Sequence, residues 1–283
     1  MRVFITFGDE KYAKTRDFAA KMAKLMGGFD KVVTYTPEDI DEGFKKNHED
    51  IFSIKRGYGL WLWKPYLIYK ALNELCQEGD YLFYSDGGAF FFRSVLYIEK
   101  VMGDSDIWIS CVPLKEWQFT KQDAFDLMDC HGDKYEKTPQ VQGGFLYIRK
   151  TPRSIAFIKE WLDLCCDIRL LHPDNVVSHA ENRNGFHGHR EDQSILSLLC
   201  KKKGQRVYQD STQYSKFPEK YWRKGFERAL DTPKEQYPPI IILHRTANLK
   251  ITDILRQIIL LIIPRWIGLK LITYDKNEYN KRH

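Results

Sequence analysis

Short apolar runs closed by Gly, Pro or Asp alternate with longer stretches of helical spacing along most of this chain. Residues 3–7 form a β-rich run closed by Gly8-Asp9, and 9–25 then carries Tyr12, Phe18, Ala19, Met22 and Leu25 at helical spacing before Gly27-Gly28. A second short strand follows at 32–35. Strand, helix and strand in such close succession predict a βαβ unit and therefore a parallel sheet. The polar stretch 37–50 reads as a loop with a helical piece, and 65–75 as a helix with Pro65 in its first turn.

The segment 79–89, GDYLFYSDGGA, is the most informative in the chain. Its aromatic run 81–84 suits a buried strand, and Asp86 then falls at the strand's carboxyl end, where open α/β sheets place their ligands. Gly87 and Gly88 remove side chains just beyond it and let a bulky substrate approach. A solvated turn acid is the competing reading, since Asp-Gly is a common turn dipeptide.

Further along, Leu96–Met102 reads as a helix and 107–112 as a strand closed by Pro113. A mobile loop with a short helix is expected at 115–127, a strand with a Gly-Gly bulge or close approach at 141–148, and an amphipathic helix at 152–166. The His- and Asn-rich segment 172–190 is a loop leading into a helix at 192–200. Late strands are expected at 206–208 and 240–243. The sum is an α/β domain with a mixed, mostly parallel sheet over 1–246, followed by a tail, 247–283.

Composition narrows the partners. A formal charge of +6 is compatible with phosphate-bearing ligands or an anionic surface. The basic residues are dispersed among acids and form no arm, stripe or RNA-binding signature, which argues against nucleic acid. Six cysteines without a C-x-x-C pair argue against a zinc ribbon or a disulfide scaffold and favour reduced thiols. The chain opens directly on a strand with no secretory pattern, and its apolar runs are shorter than a bilayer requires, so a cytoplasmic location is expected.

Two more clusters carry chemistry. In GFHGHREDQ at 185–193, Glu191, Asp192 and Gln193 open a helix toward whatever the preceding loop encloses. The acids there could act as a general base, hydrogen-bond sugar hydroxyls, or simply complement the helix dipole. In IIILHR at 240–245 a buried strand ends in His244 and Arg245, an imidazole suited to a metal and a guanidinium suited to a diphosphate. Lys64 beside Trp61 and Trp63 is either a cation for a leaving group or a lysine snorkelling at a helix start. The tail stretch 249–271 has an apolar helical face accompanied by Lys250, Arg256, Arg265 and Lys270, with Trp266 beside them. It suits a helix lying on an anionic membrane, or one packed on the core or on a second subunit.

FITFGDEKY at 4–12, RGYGLWLWKPYLIYKAL at 56–72, YLFYSDGGA at 81–89, KEWQFTKQDAFDLM at 115–128, QVQGGFLYIRKT at 140–151 and HREDQSILSLL at 189–199 together resemble bacterial GT-A-fold glycosyltransferases of capsule and surface-polysaccharide synthesis. HREDQS further resembles the Asp-Gln helix start of the glycogenin-like retaining galactosyltransferases. The resemblance implies a GT-A fold and transfer of a hexose from a UDP-galactose or UDP-glucose type donor to a glycan or lipid-linked saccharide acceptor.

It places the donor nucleotide at Phe4, Thr6, Phe7 and Gly8, with Tyr12 nearby. Ser85, Asp86, Gly87 and Gly88 would meet the donor's ribose and diphosphate, with Asp86 and His244 holding Mn²⁺ or Mg²⁺. Gly88 stands where the family's second acid is usual, which puts the metal in question; Arg56, Lys64 and Arg245 are the alternative cations. Gln142, Gly143 and Gly144 would meet the transferred sugar and the acceptor. Asp192 and Gln193 would bind the sugar near its anomeric carbon under retention, the outcome slightly favoured, whereas under inversion Glu191 or Asp192 would be the base. A catalytically silent nucleotide-sugar or glycan-binding protein is the alternative, and a lipid-linked acceptor would place the protein peripherally on the inner face of the cell membrane.

Overall fold

The computed structural model describes residues 1–178, 181–221, 223–234, 236–244, 247 and 250–272. A central sheet is built from β1 (Arg2–Phe7), β2 (Lys31–Tyr35), β3 (Tyr81–Asp86), β5 (Ile107–Lys115) and β6 (Pro139–Arg149), in the order β2-β1-β3-β6-β5. β1 runs parallel to both β2 and β3, while β6 lies antiparallel between β3 and β5. Four strands therefore point one way and one opposes them, the mixed, mostly parallel α/β sheet expected from the sequence. A short antiparallel pair, β4 (Ala89–Phe91) with β7 (Ile241–Leu243), stands beside it.

Strand periodicity divides the core into two layers. Val3, Ile5, Leu82, Tyr84, Leu146 and Ile148 face the helices α2 (Trp63–Leu75), α4 (Pro152–Cys165) and α5 (Glu191–Lys202). The intervening Phe4, Phe83, Trp108, Phe145 and Tyr147 face an aromatic layer with Phe29, Phe91 and the helix α3 (Leu96–Met102). Side chains alternate across a strand, so a single run such as FITF serves both layers. Each large apolar side chain removed from water contributes about 2 kcal/mol, which explains the aromatic density of these strands.

The helices begin where their sequences provide caps. The Thr151 hydroxyl accepts from the Ser154 N–H at 3.1 Å, and Pro152 occupies the first helical position of α4. α1 (Ala13–Met22) is entered through a turn at Glu10–Tyr12, capped by Asp9, and left through a wider turn at Ala23–Gly27. The run expected as one helix over 9–25 is thus three segments, ended by Gly28 at φ 80°.

Three other expectations change. β5 continues through Pro113 to Lys115, because a register shift between Val112 and Lys115 releases the proline from the ladder. Residues 206–208 give only an isolated bridge from Tyr208 to Ser110 rather than a strand. The segment 115–127, expected to be mobile, is anchored: Glu116, Gln118, Lys121 and Asp123 are all buried. Lys121 donates to the carbonyls of Arg169 and Asp174, and Asp123 accepts from the N–H groups of Val177 and Ser178. Those bonds tie the loop following α4 to the core.

All six cysteines are free, five of them buried, and burial pushes their thiols up, Cys76 to about 11 and Cys111 to about 12. Trp161 of α4 is fully buried, and its indole N–H donates to the Asp192 carbonyl at 3.0 Å, so one core side chain supports the start of α5. Trp161→Phe removes that bond and some volume and should lower the unfolding free energy by about 2 kcal/mol in a urea titration. A change smaller than about 0.5 kcal/mol, the range of ordinary surface substitutions, would contradict this role for Trp161.

Candidate active site

A cleft of about 650 Å³ opens beyond the carboxyl ends of β1 and β3. Asp86, Gly87 and Gly88 come to it from the end of β3, Gln142 and Gly144 from β6, and Gln193 from the first turn of α5. Phe7, Tyr58, Trp61 and Trp63 form an aromatic wall, and Lys11 and Lys55 also line the cleft. A second cavity of about 680 Å³ shares Gly8, Asp9, Lys11 and Tyr58 and reaches Thr36 and Pro37 beyond β2. Together the two can take an elongated ligand with one aromatic or sugar ring at each end.

The aromatic wall depends on an unusual backbone. Gly57, Tyr58, Gly59, Leu60 and Trp61 all have left-handed φ, between 52° and 81°. Non-glycine residues there cost about 1–2 kcal/mol each. Compensating bonds run from the Gly59 N–H to the Ile54 carbonyl at 3.0 Å, from the Leu60 N–H to the Arg56 carbonyl at 2.8 Å, and from the Trp63 indole to the Gly57 carbonyl at 2.8 Å. Trp63 then stacks on Phe7 with ring centroids 3.8 Å apart. A Cβ on Gly57 would fall 2.4 Å from the Trp61 ring, so the glycine is required by space as well as by φ.

Below the cleft lies a buried charge cluster. The Lys64 ammonium, only 4% of whose residue surface is exposed, lies 2.8 Å from Asp192 Oδ2 and 3.6 Å from Asp86 Oδ1. Asp86 Oδ1 also accepts from the Tyr84 hydroxyl at 2.5 Å. Burial by itself would lower the lysine's pKa, but the two carboxylates outweigh it and raise it. Burial pushes Asp192 up to about 6, against the pull of Lys64. Glu191 next to it is pushed by burial to about 7, although the Arg56 guanidinium at 2.7 Å opposes the shift. Glu191 also sits at φ 37°, so the entry into α5 is strained.

The glycines of β6 have distinct neighbours. A Cβ on Gly144 would lie 3.0 Å from Asp86 Oδ2, whereas one on Gly143 would meet Gln193 at 3.1 Å and Asp192 Oδ2 at 3.4 Å. Gly144 lines the cleft; Gly143 lets α5 approach the strand instead, and its N–H donates to Gln193 Oε1 at 3.0 Å.

Of the residues singled out in the sequence, Phe7, Gly8, Tyr12, Asp86, Gly87, Gly88, Gln142, Gly144 and Gln193 meet in one cleft. Phe4 does not: it packs among Phe29, Phe83 and Phe91, because its neighbours Val3 and Ile5 take the opposite face of β1. Thr6 and Ser85 are buried in their strands, and Lys64, Glu191 and Asp192 lie beneath the surface, Lys64 paired with Asp192 and Glu191 with Arg56. Arg56 pairs with Glu191, and Arg245 lies outside the described residues. Lys11, Lys55 and Tyr58 escaped the sequence reading. Their signal was position alone, Lys11 inside FITFGDEKY and Lys55 just before RGYG.

Among the described residues, the donor atoms do not by themselves complete a site for a divalent ion. Among the described residues no group of three or more His, Cys, Asp or Glu side chains converges. Asp86 Oδ1 is already engaged by Tyr84 and Lys64, Gly88 adds no side chain, and His244 reaches Gly88 through its backbone N–H, which donates to the Gly88 carbonyl at 2.9 Å. The expected Mn²⁺ or Mg²⁺ site at Asp86 and His244 therefore lacks a complete ligand set.

Raised carboxyl pKa values make stability depend on pH in a defined direction. Glu191, ordinarily near 4.5, reaches about 7 in the fold, so the native state binds its proton more tightly than the unfolded chain does. Stability is then highest below the unfolded value and declines as pH rises toward 7, with Asp192 adding to the decline as pH approaches 6. Glu191→Gln should flatten this slope in denaturant titrations between about pH 5 and 7.5. An unaltered slope would show that Glu191 is not the buried titrating group.

No family profile and no curated protein matches the chain. Among solved structures, it is similar to mouse xyloside xylosyltransferase 1 in its apo form, at 9% identity over 88% of this chain and 100% of that one, with a TM-score of 0.46. It is similar to the glycosyltransferase GlyE of Streptococcus pneumoniae TIGR4 at 13% identity and a TM-score of 0.46, over 98% of this chain but 65% of that one. The galactosyltransferase LgtC, solved with donor and acceptor sugar analogs, is 16% identical over 86% of this chain and 87% of that one, with a TM-score of 0.46.

Proposed function

We propose that the protein is a glycosyltransferase that moves a hexose from a UDP-sugar to a saccharide or lipid-linked glycan acceptor in surface-polysaccharide synthesis. The observation that carries this reading is convergence: the stretches at 4–12, 56–72, 81–89, 140–151 and 189–199, distant in sequence, all contribute to one cleft. Residues 1–246 form the catalytic domain in this reading, and 247–283 the tail.

The donor lies along the two joined cavities, its nucleotide toward Gly8, Tyr12 and Thr36 and its sugar over Asp86, Gly144 and Gln193. When the bond between the anomeric carbon and the diphosphate oxygen breaks, its electron pair stays on the nucleotide, and negative charge grows there. Lys11 and Lys55, both exposed and lining the cleft, are placed to meet that charge. Lys64 is not, because its ammonium lies buried between Asp192 and Asp86 and keeps those carboxylates in place. Asp86 accepts from the sugar or ribose hydroxyls.

Retention is favoured by the state of the two acids. An inverting enzyme needs a carboxylate free to take the acceptor's proton, yet Asp192 is paired with Lys64, Glu191 is paired with Arg56, and neither lines the cleft. With neither of these acids available as a base, the acceptor approaches on the side of the leaving group. The departing diphosphate oxygen then takes the acceptor's proton.

Incubation with a panel of UDP-sugars should give slow donor hydrolysis, and Asp86→Ala should reduce it at least about 100-fold while leaving the circular dichroism spectrum unchanged. Nucleotide binding without turnover would favour a silent sugar-binding protein, and absence of binding to any donor would sink the enzyme reading. Turnover should survive EDTA within about twofold, since among the described residues no divalent ion has a full ligand set. Abolition by EDTA with recovery on adding Mn²⁺ would overturn the cationic reading of Lys11 and Lys55.

The tail bears on where the reaction occurs. In α6 (Ile251–Ile262), Leu260 packs with Phe217 and Ile272, while Ile251, Leu255, Ile259 and Ile262 leave one helical face exposed, Ile251 by 75%. Exposed Trp266 follows, with Lys250 and Lys270 in water nearby. No described helix is long and apolar enough to cross a membrane. In this reading the face lies on an anionic membrane, as a lipid-linked acceptor requires. Flotation with vesicles containing anionic lipid should carry the protein upward, and Leu255→Glu with Ile259→Glu should abolish this; equal flotation of the variant would refute the placement.

A further inference from the structure

Beneath the cleft, one carboxamide joins the segment 116–120, strand β6 and the start of α5. Gln140, fully buried in β6, donates from Nε2 to Glu116 Oε1 at 3.0 Å and to the Phe119 carbonyl at 3.3 Å. Its Oε1 accepts from Arg190 Nη1 at 2.9 Å and from Gln193 Nε2 at 2.9 Å. Gln193 in turn accepts at Oε1 from the Gly143 N–H at 3.0 Å.

The orientation of each amide follows from what its neighbours are able to do. A guanidinium and a backbone N–H only donate, and a backbone carbonyl only accepts. Glu116 already accepts from Thr120 at 2.5 Å, from Lys201 at 2.7 Å and from the Ser197 hydroxyl, so toward Gln140 it is an acceptor as well. Gln140 must therefore turn its NH₂ to Glu116 and its oxygen to Arg190. Arg190 is held for this by packing over the Phe119 ring at 4.0 Å. Gln193 then has one arrangement left, NH₂ toward Gln140 and oxygen toward Gly143. Flipped, it would face donor to donor at Gly143 and acceptor to acceptor at Gln140, losing both bonds.

We propose that Gln140 is a positioning residue of the site, which through this relay fixes the carboxamide of Gln193 so that the same edge always faces the donor sugar. The proposal rests on the glycosyltransferase reading, in which Gln193 lies at the sugar. Gln140 itself does not line the cleft and touches no substrate. Its effect belongs in the transition state, where a misturned carboxamide loses an aligned contact, more than in donor binding.

A double-variant cycle on the full chain with a UDP-sugar donor tests it. Gln140→Met keeps length and volume but neither donates nor accepts in the relay. It should lower kcat on the order of 10-fold with donor KM within about twofold. Added to Gln193→Met, it should lower kcat no further, because the carboxamide it orients is gone. Gln140→Glu supplies a second readout that survives if the methionine variant folds poorly. Only its protonated form can donate to Glu116, so its activity relative to the unaltered protein should recover as pH falls. An equal loss in both backgrounds, an unchanged kcat for Gln140→Met, or a pH profile of Gln140→Glu parallel to that of the unaltered protein would each overturn the proposal. If the unaltered protein turns over no nucleotide sugar, the enzyme reading fails and the proposal with it; active protein indifferent to Gln140 removes the proposal alone.

Discussion

Lys64 places an ammonium where α2, β3 and α5 meet, 2.8 Å from Asp192 and 3.6 Å from Asp86. An isolated buried charge is too costly to keep, and removing one partner of such a pair typically costs about 3–5 kcal/mol. The helix starting at Trp63, the strand ending at Asp86 and the helix starting at Glu191 are thereby held to one another by complementary charge. The geometry of the cleft follows from this constraint. Asp86 is presented at the strand end, Gln193 follows Asp192 into the first helical turn, and Gly143 is left no room for a side chain.

Much of this was legible in the chain because it rests on local chemistry. The βαβ beginning, the aromatic strand ending in Asp86 and the helix after Thr151 all follow from period and caps. What escaped depends on partners far away in sequence. The β4–β7 pair joins three residues after Gly88, too few to signal a strand, to the late strand expected near residue 242. Pro113 looked like a strand end because the bulge that accommodates it exists only against β6. Phe4 looked like a ligand contact, but the alternation of β1 directs it into the aromatic layer.

The site shows the same division. Asp86 and Gln193 could be picked out from their motifs, whereas the pairing of Lys64 with both acids and the burial of Glu191 require the folded arrangement. The loop before α5 is similar: His189 is fully buried and held near a pKa of 3 chiefly by burial. It is neutral, accepting from the Lys121 N–H at Nδ1 and donating from Nε2 to the Leu170 carbonyl. This histidine is a spacer between two backbone segments, and it steadies Arg190 and the residues that follow.

Gly88 lies in the link between β3 and β4, its carbonyl bonded to the backbone of His244, and its φ is not among the left-handed values that demand glycine. Glycine and aspartate codons can differ by a single base. The step between the present cleft, lined by Lys11 and Lys55, and one with a second carboxylate beside Asp86 and His244 is thus one mutation wide, at a position outside the sheet's hydrogen-bonded core. Dependence on a metal would then be a trait that related chains could gain or shed without rebuilding the fold, varying on a shorter evolutionary timescale than the architecture that carries it.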